Sequence, residues 1–347
     1  MLHAPMPEEF HLAILVSGTI NWPLEDDSMK EEALANHNPD MESRRRFLRK
    51  CLSVPAVGIT LNSLMEASHS KEVPQPPQNQ SRWQIGCYTR PWDQYEYLFA
   101  LDAIAKAGYE HVGLMTTKSF NGLIISHETT LETAHQIGEE CRQRGLNPLS
   151  AYGGDIPVAA SLEAGIEGLK RIIESCAAAR VKNLMLGGVT DEKLHAPYYK
   201  AISECCDFAS EKGIGLSIKP HGGTNSTGPQ CRQIIELVNN PNFRLWYDPA
   251  NILYYSDGQI DPVEDAPSVD GLVVGMSVKD YHHPKEVLLT PGTGQVDFLN
   301  VMKKLVSGGF RSGPLIVECL KVGEPETILE EARKALRFTE SLTGQLG

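Results

Sequence analysis

The chain has 347 residues, 41% of them hydrophobic and 22% charged, with a formal net charge of −12. That length and apolar content allow one large buried core or two smaller ones, as in an ordinary globular enzyme. The acidic balance argues against a nucleic-acid partner, whose phosphates call for a basic face. The eight cysteines include no CxxC pair, so neither a metal finger nor a disulfide framework is expected.

Residues 1–40 do not read as part of a domain. Their one apolar run, Leu12-Ala-Ile-Leu-Val16, is too short to span a bilayer and lacks a basic flank. From Met41 the pattern changes. Met41-Glu-Ser-Arg-Arg-Arg-Phe-Leu-Arg-Lys50 is basic, Cys51 to Leu61 is modestly apolar, and Ala67-Ser-His-Ser70 supplies small residues for cleavage. Ser43-Arg44-Arg45-Arg46-Phe47-Leu48 resembles the twin-arginine export signal, in which an arginine pair precedes Phe-Leu.

That resemblance implies a start at Met41, an upstream extension over 1–40 and a signal peptide over 41–70. The twin-arginine export machinery would then carry the folded protein to the periplasm or another extracytoplasmic space, with no stable membrane insertion. The alternative is a basic amphipathic start of a cytosolic protein. Residues 71–82, rich in Pro and Gln, read as a linker. Removing residues 1–70 takes away 10 acidic and 6 basic side chains from totals of 44 and 32, so the remainder carries 26 − 34 = −8.

From Trp83 short apolar runs alternate with amphipathic stretches. Strands are expected at Trp83 to Thr89, Glu110 to Met115, Pro148 to Tyr152 and Lys182 to Leu186. Helices are expected at Gln94 to Ala107, Glu128 to Arg144 and Pro197 to Lys212. Between the last two, Leu162, Ile166, Leu169, Ile172, Ile173 and Cys176 recur at helical spacing.

The next three strands share a design. Ile214-Gly-Leu-Ser-Ile-Lys-Pro-His221 ends in Lys219 and His221, and Phe243-Arg-Leu-Trp-Tyr-Asp-Pro-Ala-Asn251 ends in Asp248 and Asn251. Leu272-Val-Val-Gly-Met-Ser-Val-Lys-Asp280 ends in Ser277, Lys279 and Asp280. Lys219, Asp248 and Ser277 follow one another at 248 − 219 = 29 and 277 − 248 = 29 residues, the pace of successive βα units. An eighth strand, Pro314 to Cys319, carries Glu318. It lies between helices expected at Val296 to Val306 and Pro325 to Leu342.

Eight strands with helical connections over 83–342 predict an α/β fold, a (β/α)8 TIM barrel. Polar strand ends then fall on the barrel's carboxyl-end face, where such folds place their chemistry. A doubly wound open sheet is the other possibility, but no Gly-rich dinucleotide fingerprint follows the first strand.

Taken together, Gly213-Ile-Gly-Leu-Ser-Ile-Lys-Pro-His221, Asp248-Pro-Ala-Asn251, Val278-Lys-Asp280, Gly292-Thr-Gly-Gln-Val-Asp-Phe298 and Gly313-Pro-Leu-Ile-Val-Glu318 resemble the xylose isomerase-like TIM barrels, the sugar phosphate isomerase/epimerase superfamily. The resemblance implies a small-molecule carbohydrate substrate and proton transfer alpha to its carbonyl. It also implies one divalent metal held by Glu, Asp, His and Glu at the ends of strands five to eight. By position, Asp248 and Glu318 are the second and fourth ligands, while Lys219 and Ser277 stand at the first and third. On the second strand, Gly113 stands where relatives often carry a Glu.

Three readings remain open at this point. A relocated metal could use Asp248, Glu318 and His221. The Lys219 ammonium could take the metal's electrostatic role, with Lys219 or Glu318 transferring the proton. Or the site could bind a sugar or sugar acid without catalysis. His221, Asn251, Ser277 and Lys279 are candidate substrate contacts, Asn251 being equally readable as fixing the loop after strand six, and Lys279 with Asp280 reads as a strand-end ion pair. A lyase or hydrolase on an oxidised sugar is the alternative chemistry. The oligomeric state is not legible.

Overall fold

Eight parallel strands pair in sequence order and close on themselves in a computed structural model that describes residues 82–346. They are β1 (Trp83–Tyr88), β2 (His111–Leu114), β3 (Asn147–Tyr152), β4 (Asn183–Leu186), β5 (Gly215–Ile218), β6 (Phe243–Tyr247), β7 (Val273–Val278) and β8 (Gly313–Val317). β8 returns to pair with β1, Trp83 lying opposite Gly313 and Cys87 opposite Val317. The expected (β/α)8 barrel is therefore what forms. The proposed signal peptide, its upstream extension and nearly all of the linker lie outside the described residues.

Nine helices are present among the described residues: α1 (Tyr97–Ala107), α2 (Leu131–Gln143), α3 (Leu162–Ala178), α4 (Glu192–Glu211), α5 (Gly228–Val238), α6 (Pro249–Tyr255), α7 (Pro262–Asp265), α8 (Phe298–Ser307) and α9 (Pro325–Gly344). Caps decide several starts. Thr130, Ser161 and Thr227 each accept a backbone N–H from the first turn, and Thr227 with Gln230 completes a capping box.

α4 begins at Glu192 rather than at Pro197, because Asp191 caps it by accepting from Lys193 N. The proline sits inside the helix rather than opening it. α5, α6 and α7 were not expected from the periodicity. α6 and α7 are too short to show one, and each starts on a proline behind an aspartate cap.

The core divides into two layers. The larger lies between strands and helices, and includes Leu101, Ile104, Ile172, Ile202, Leu245 and Val301. The smaller fills the barrel interior with Tyr88, Met115, Leu149, Met185, Trp246 and Ile316. Two aromatic rings dominate it, and each is admitted by a glycine on the next strand. A Cβ at Gly113 would lie 2.1 Å from the Tyr88 ring, and one at Gly275 would lie 2.4 Å from the Trp246 ring.

Both glycines sit at register shifts between the paired strands. Tyr88 and Trp246 meet edge to face with centroids 6.5 Å apart, which gives the site above them a packed floor. The seven described cysteines are free and buried. They behave as small apolar side chains.

Candidate functional site

Side chains alternate across a strand, so residues two apart share a face. Trp246 and Ile316 point into the barrel, and Asp248 and Glu318, two residues on, emerge one layer higher. Ser277 follows Gly275 in the same way. Lys219 lies one residue past the end of β5, so β5 is a shorter strand than its sequence suggested. The result is a buried cluster at the carboxyl ends of β5 to β8: Lys219 is 2% exposed, Asp248 0%, Ser277 0%, Lys279 4% and Glu318 1%.

Glu318 is its centre. Its Oε2 accepts from Lys219 Nζ at 2.7 Å and from Ser277 Oγ at 2.7 Å. Its Oε1 accepts from Arg90 Nη1 at 2.8 Å and from Lys279 Nζ at 3.2 Å. Trp246 Nε1 donates to Ser277 Oγ at 3.2 Å, so the interior ring orients the hydroxyl that orients the carboxylate. Burial alone would raise the Glu318 carboxyl. Lys219, Lys279 and Arg90 outweigh it and hold the group well below the usual carboxylate range.

Asp248 divides its two oxygens between structure and site. Oδ1 caps α6 by accepting from Asn251 N at 3.0 Å. Oδ2 lies 2.9 Å from Lys219 Nζ and 3.7 Å from Lys279 Nζ. The 2.9 Å contact is an ion pair rather than a well-aligned hydrogen bond, since Oδ2 has no directed donor. Burial disfavours the Lys219 ammonium, but Asp248 and Glu318 outweigh it and raise its pKa above the ordinary lysine value.

Asn251 serves the site by positioning. Its Nδ2 donates to Pro220 O at 2.6 Å, tying α6 to the end of β5, and its Oδ1 accepts from Lys279 Nζ at 2.7 Å. Asn225 fixes the same loop from the other side, donating to Gly187 O and Lys219 O.

Lys279 and Asp280 do not pair with each other. They are neighbours on one extended segment and point to opposite faces. Asp280 turns away and accepts from the backbone N–H groups of Tyr281, Gly292, Gly294 and Val296, which pins the loop leading to α8.

His221 stands above the cluster, half-buried. Its ring lies 6.2 Å from that of Tyr152 and 5.8 Å from that of Tyr255, in tilted contact with both. Burial first, and then Lys219 and Lys279, lower its pKa to about 4, so it is neutral at ordinary pH. Burial, helped by Asp155 and Glu318, pushes the Tyr152 hydroxyl up to about 12. Tyr152 feels Arg90 and Glu318, while Tyr255 feels Lys279, Lys219 and Asp248. These side chains form the rim of the site.

Arg90, Tyr152 and Tyr255 were not singled out from the sequence. Arg90 falls in a single 3-10 turn after β1, Arg90–Trp92, which carries no periodic signal. A Pro at its second position was the one local clue to a strand end there.

A divalent metal does not fit this donor set. The Lys219 ammonium already stands between Asp248 and Glu318, where a bridging cation would have to sit. Ser277 offers a hydroxyl at the position where the resemblance implies an imidazole. The relocated set of Asp248, Glu318 and His221 fares no better, because two lysines lie against both acids and His221 packs between tyrosine rings. Among the described residues no three His, Cys, Asp or Glu side chains are grouped so as to hold a metal ion. Nor is any described helix long and apolar enough to cross a membrane.

Several solved structures share the fold. The xylose isomerase domain protein from Planctomyces limnophilus is 19% identical with a TM-score of 0.57, over 71% of this chain and 93% of that one. A D-psicose 3-epimerase solved with D-fructose is 15% identical with a TM-score of 0.59, over 75% and 99%. A D-allulose 3-epimerase from Methylomonas sp., in complex with D-allulose, is 17% identical with a TM-score of 0.60, over 76% and 98%. No curated protein sequence matches the chain. The family model described as xylose isomerase-like TIM barrel matches residues 101–339, well over half of the sequence, and the chain belongs to that family.

Proposed function

We propose that this protein moves a proton alpha to the carbonyl of a sugar or sugar derivative, as an isomerase or epimerase, with ammonium groups standing where its relatives are expected to hold a metal. The observation that carries the reading is the placement of the Lys219 ammonium, 2.9 Å from Asp248 and 2.7 Å from Glu318. An enediolate formed by proton removal carries its charge on oxygen. Lys219 and Lys279 are positioned donors in a water-poor site, which is what stabilising such an oxygen requires. Glu318 is the carboxylate that would carry the proton. Tyr152, His221 and Tyr255 offer ring faces and hydroxyls to a polyhydroxylated ring or chain.

One observation favours a second reading, a carbohydrate-binding protein without turnover. All four donors around Glu318 are engaged, and a carboxylate held that far below its usual range is a weak base.

Solvent exchange separates the two. A panel of ketoses, aldoses and their oxidised derivatives is incubated with the protein in D2O, and deuterium at the carbon alpha to the carbonyl is followed by NMR. Proton transfer predicts incorporation that falls at least about a hundredfold in Glu318→Gln. Saturable binding with no incorporation from any member of the panel would establish the binding reading instead.

A further inference from the structure

The cluster is not electrically balanced. Arg90, Lys219 and Lys279 bring three formal positive charges, and Asp248 and Glu318 bring two negative ones. His221 is neutral at the rim. Asp155 beside Tyr152 is exposed, and makes no ion pair with any of the three cations. One positive charge is left over at a site where burial makes such an excess costly unless a partner arrives.

Arg90 is the member placed to receive that partner. Its side chain is 33% exposed, whereas the groups beneath it are nearly sealed. It spends Nη1 on Glu318, while Nε and Nη2 make no hydrogen bond to any described residue. A guanidinium edge with free N–H groups matches the two oxygens of a carboxylate, and a single negative charge matches the excess.

Building on the sugar reading above, we infer that the substrate of this site is a carboxylated sugar whose carboxylate is received by Arg90. The same contact has a consequence for Glu318. A substrate carboxylate on the Nε/Nη2 edge shares the guanidinium charge with Glu318 Oε1 and brings a second negative charge near it, both of which make Glu318 a better base. Glu318 is then a stronger base with the anion bound than without it, when Arg90 adds its charge to the hold of Lys219 and Lys279.

Calorimetric titration of the full domain with matched pairs tests this: glucose against glucuronate, galactose against galacturonate, and inorganic phosphate as a separate anion. Wild type is expected to bind at least one acid tenfold or more tightly than its neutral partner. That ratio should fall to near one in Arg90→Met and recover in part in Arg90→Lys, with thermal unfolding confirming that each variant is folded. If Arg90→Met does not fold, the wild-type ratio and its reduction in Arg90→Lys decide.

Neutral sugars binding as tightly as the acids, no binding by either acid, a preference that survives Arg90→Met, or phosphate binding more tightly than both acids would each overturn the inference. Its failure is distinguishable from failure of the proton-transfer reading. Acids bound through Arg90 without deuterium incorporation sink the chemistry alone, and neutral sugars that exchange without any acid preference sink the carboxylate alone.

Discussion

Lys219 and Glu318 are 99 residues apart in sequence, yet their charged atoms lie 2.7 Å apart inside the barrel mouth. Together with Asp248 they form a buried arrangement in which the two acids hold Lys219 protonated and Lys219 in turn holds Glu318 ionised. Burying such charges is expensive, and the geometry offsets this only while every partner is present.

Lys219→Met should therefore destabilise the domain by about 3–5 kcal/mol, the usual cost of breaking a buried pair. Chemical denaturation checks the value. Because the partners share one network, Lys219→Met combined with Glu318→Gln should cost less than the sum of the two single changes. Additive losses would show that the ammonium and the carboxylate do not depend on each other.

A chelator should leave the protein unchanged. With the ammonium of Lys219 between Asp248 and Glu318, EDTA treatment is expected to shift neither the unfolding midpoint nor ligand binding. Added Mn²⁺ or Co²⁺ should not raise the midpoint, as a ligand specific to the folded state would. Stoichiometric metal lost together with activity would refute the assignment.

Gly113 marks where the Tyr88 ring crosses the second strand. Gly113→Ala should cost about 1–3 kcal/mol, the range for overpacking a filled core, because its Cβ would fall 2.1 Å from that ring. In a Tyr88→Leu background the same alanine should cost markedly less. An equal cost in both backgrounds would locate the strain elsewhere.

His221 sets a pH window. Its pKa is lowered to about 4 in the folded protein, against about 6.5 in an unfolded chain. Between these values the unfolded state binds more protons, so stability falls as pH drops from about 6.5 towards 4, by on the order of 1–3 kcal/mol. Glu318, lowered well below the usual range, adds its own loss only at more acidic pH. His221→Gln should flatten the stability profile between pH 6.5 and 4 and leave the more acidic loss in place. An unchanged slope between pH 6.5 and 4 would show that His221 is not buried neutral.

For the amino-terminal segment we propose that the motif at residues 43–48 acts as the twin-arginine signal it resembles; Arg44→Lys with Arg45→Lys should then block export, and the mature chain should begin between about residues 65 and 85, since the arginine pair is what that route reads. Terminal sequencing that finds Met1 on cytoplasmic protein would rule this out.

By itself the sequence determined the barrel and the identities at the ends of its last four strands. Both are written locally: apolar runs of strand length, helical periodicity between them, and prolines that stop β5 and β6 next to Lys219 and Asp248. Asp248 could be read as a cap or as a site residue; one of its oxygens caps α6 and the other faces Lys219. Arg90 stayed hidden because its importance comes from barrel closure. Only when β8 returns to β1 does the turn after the first strand meet a glutamate 228 residues away.

The partition of Lys279 and Asp280 was likewise beyond composition or spacing. Pleating sends adjacent side chains to opposite faces, but which face holds the charged cluster depends on how the whole sheet closes. That Lys219 and Ser277 stand at the two positions where the resemblance implies metal ligands was visible as letters. That the ammonium of one stands between the two acids, and that the hydroxyl of the other is turned onto Glu318 by Trp246, was decided by packing among strands that meet only in three dimensions.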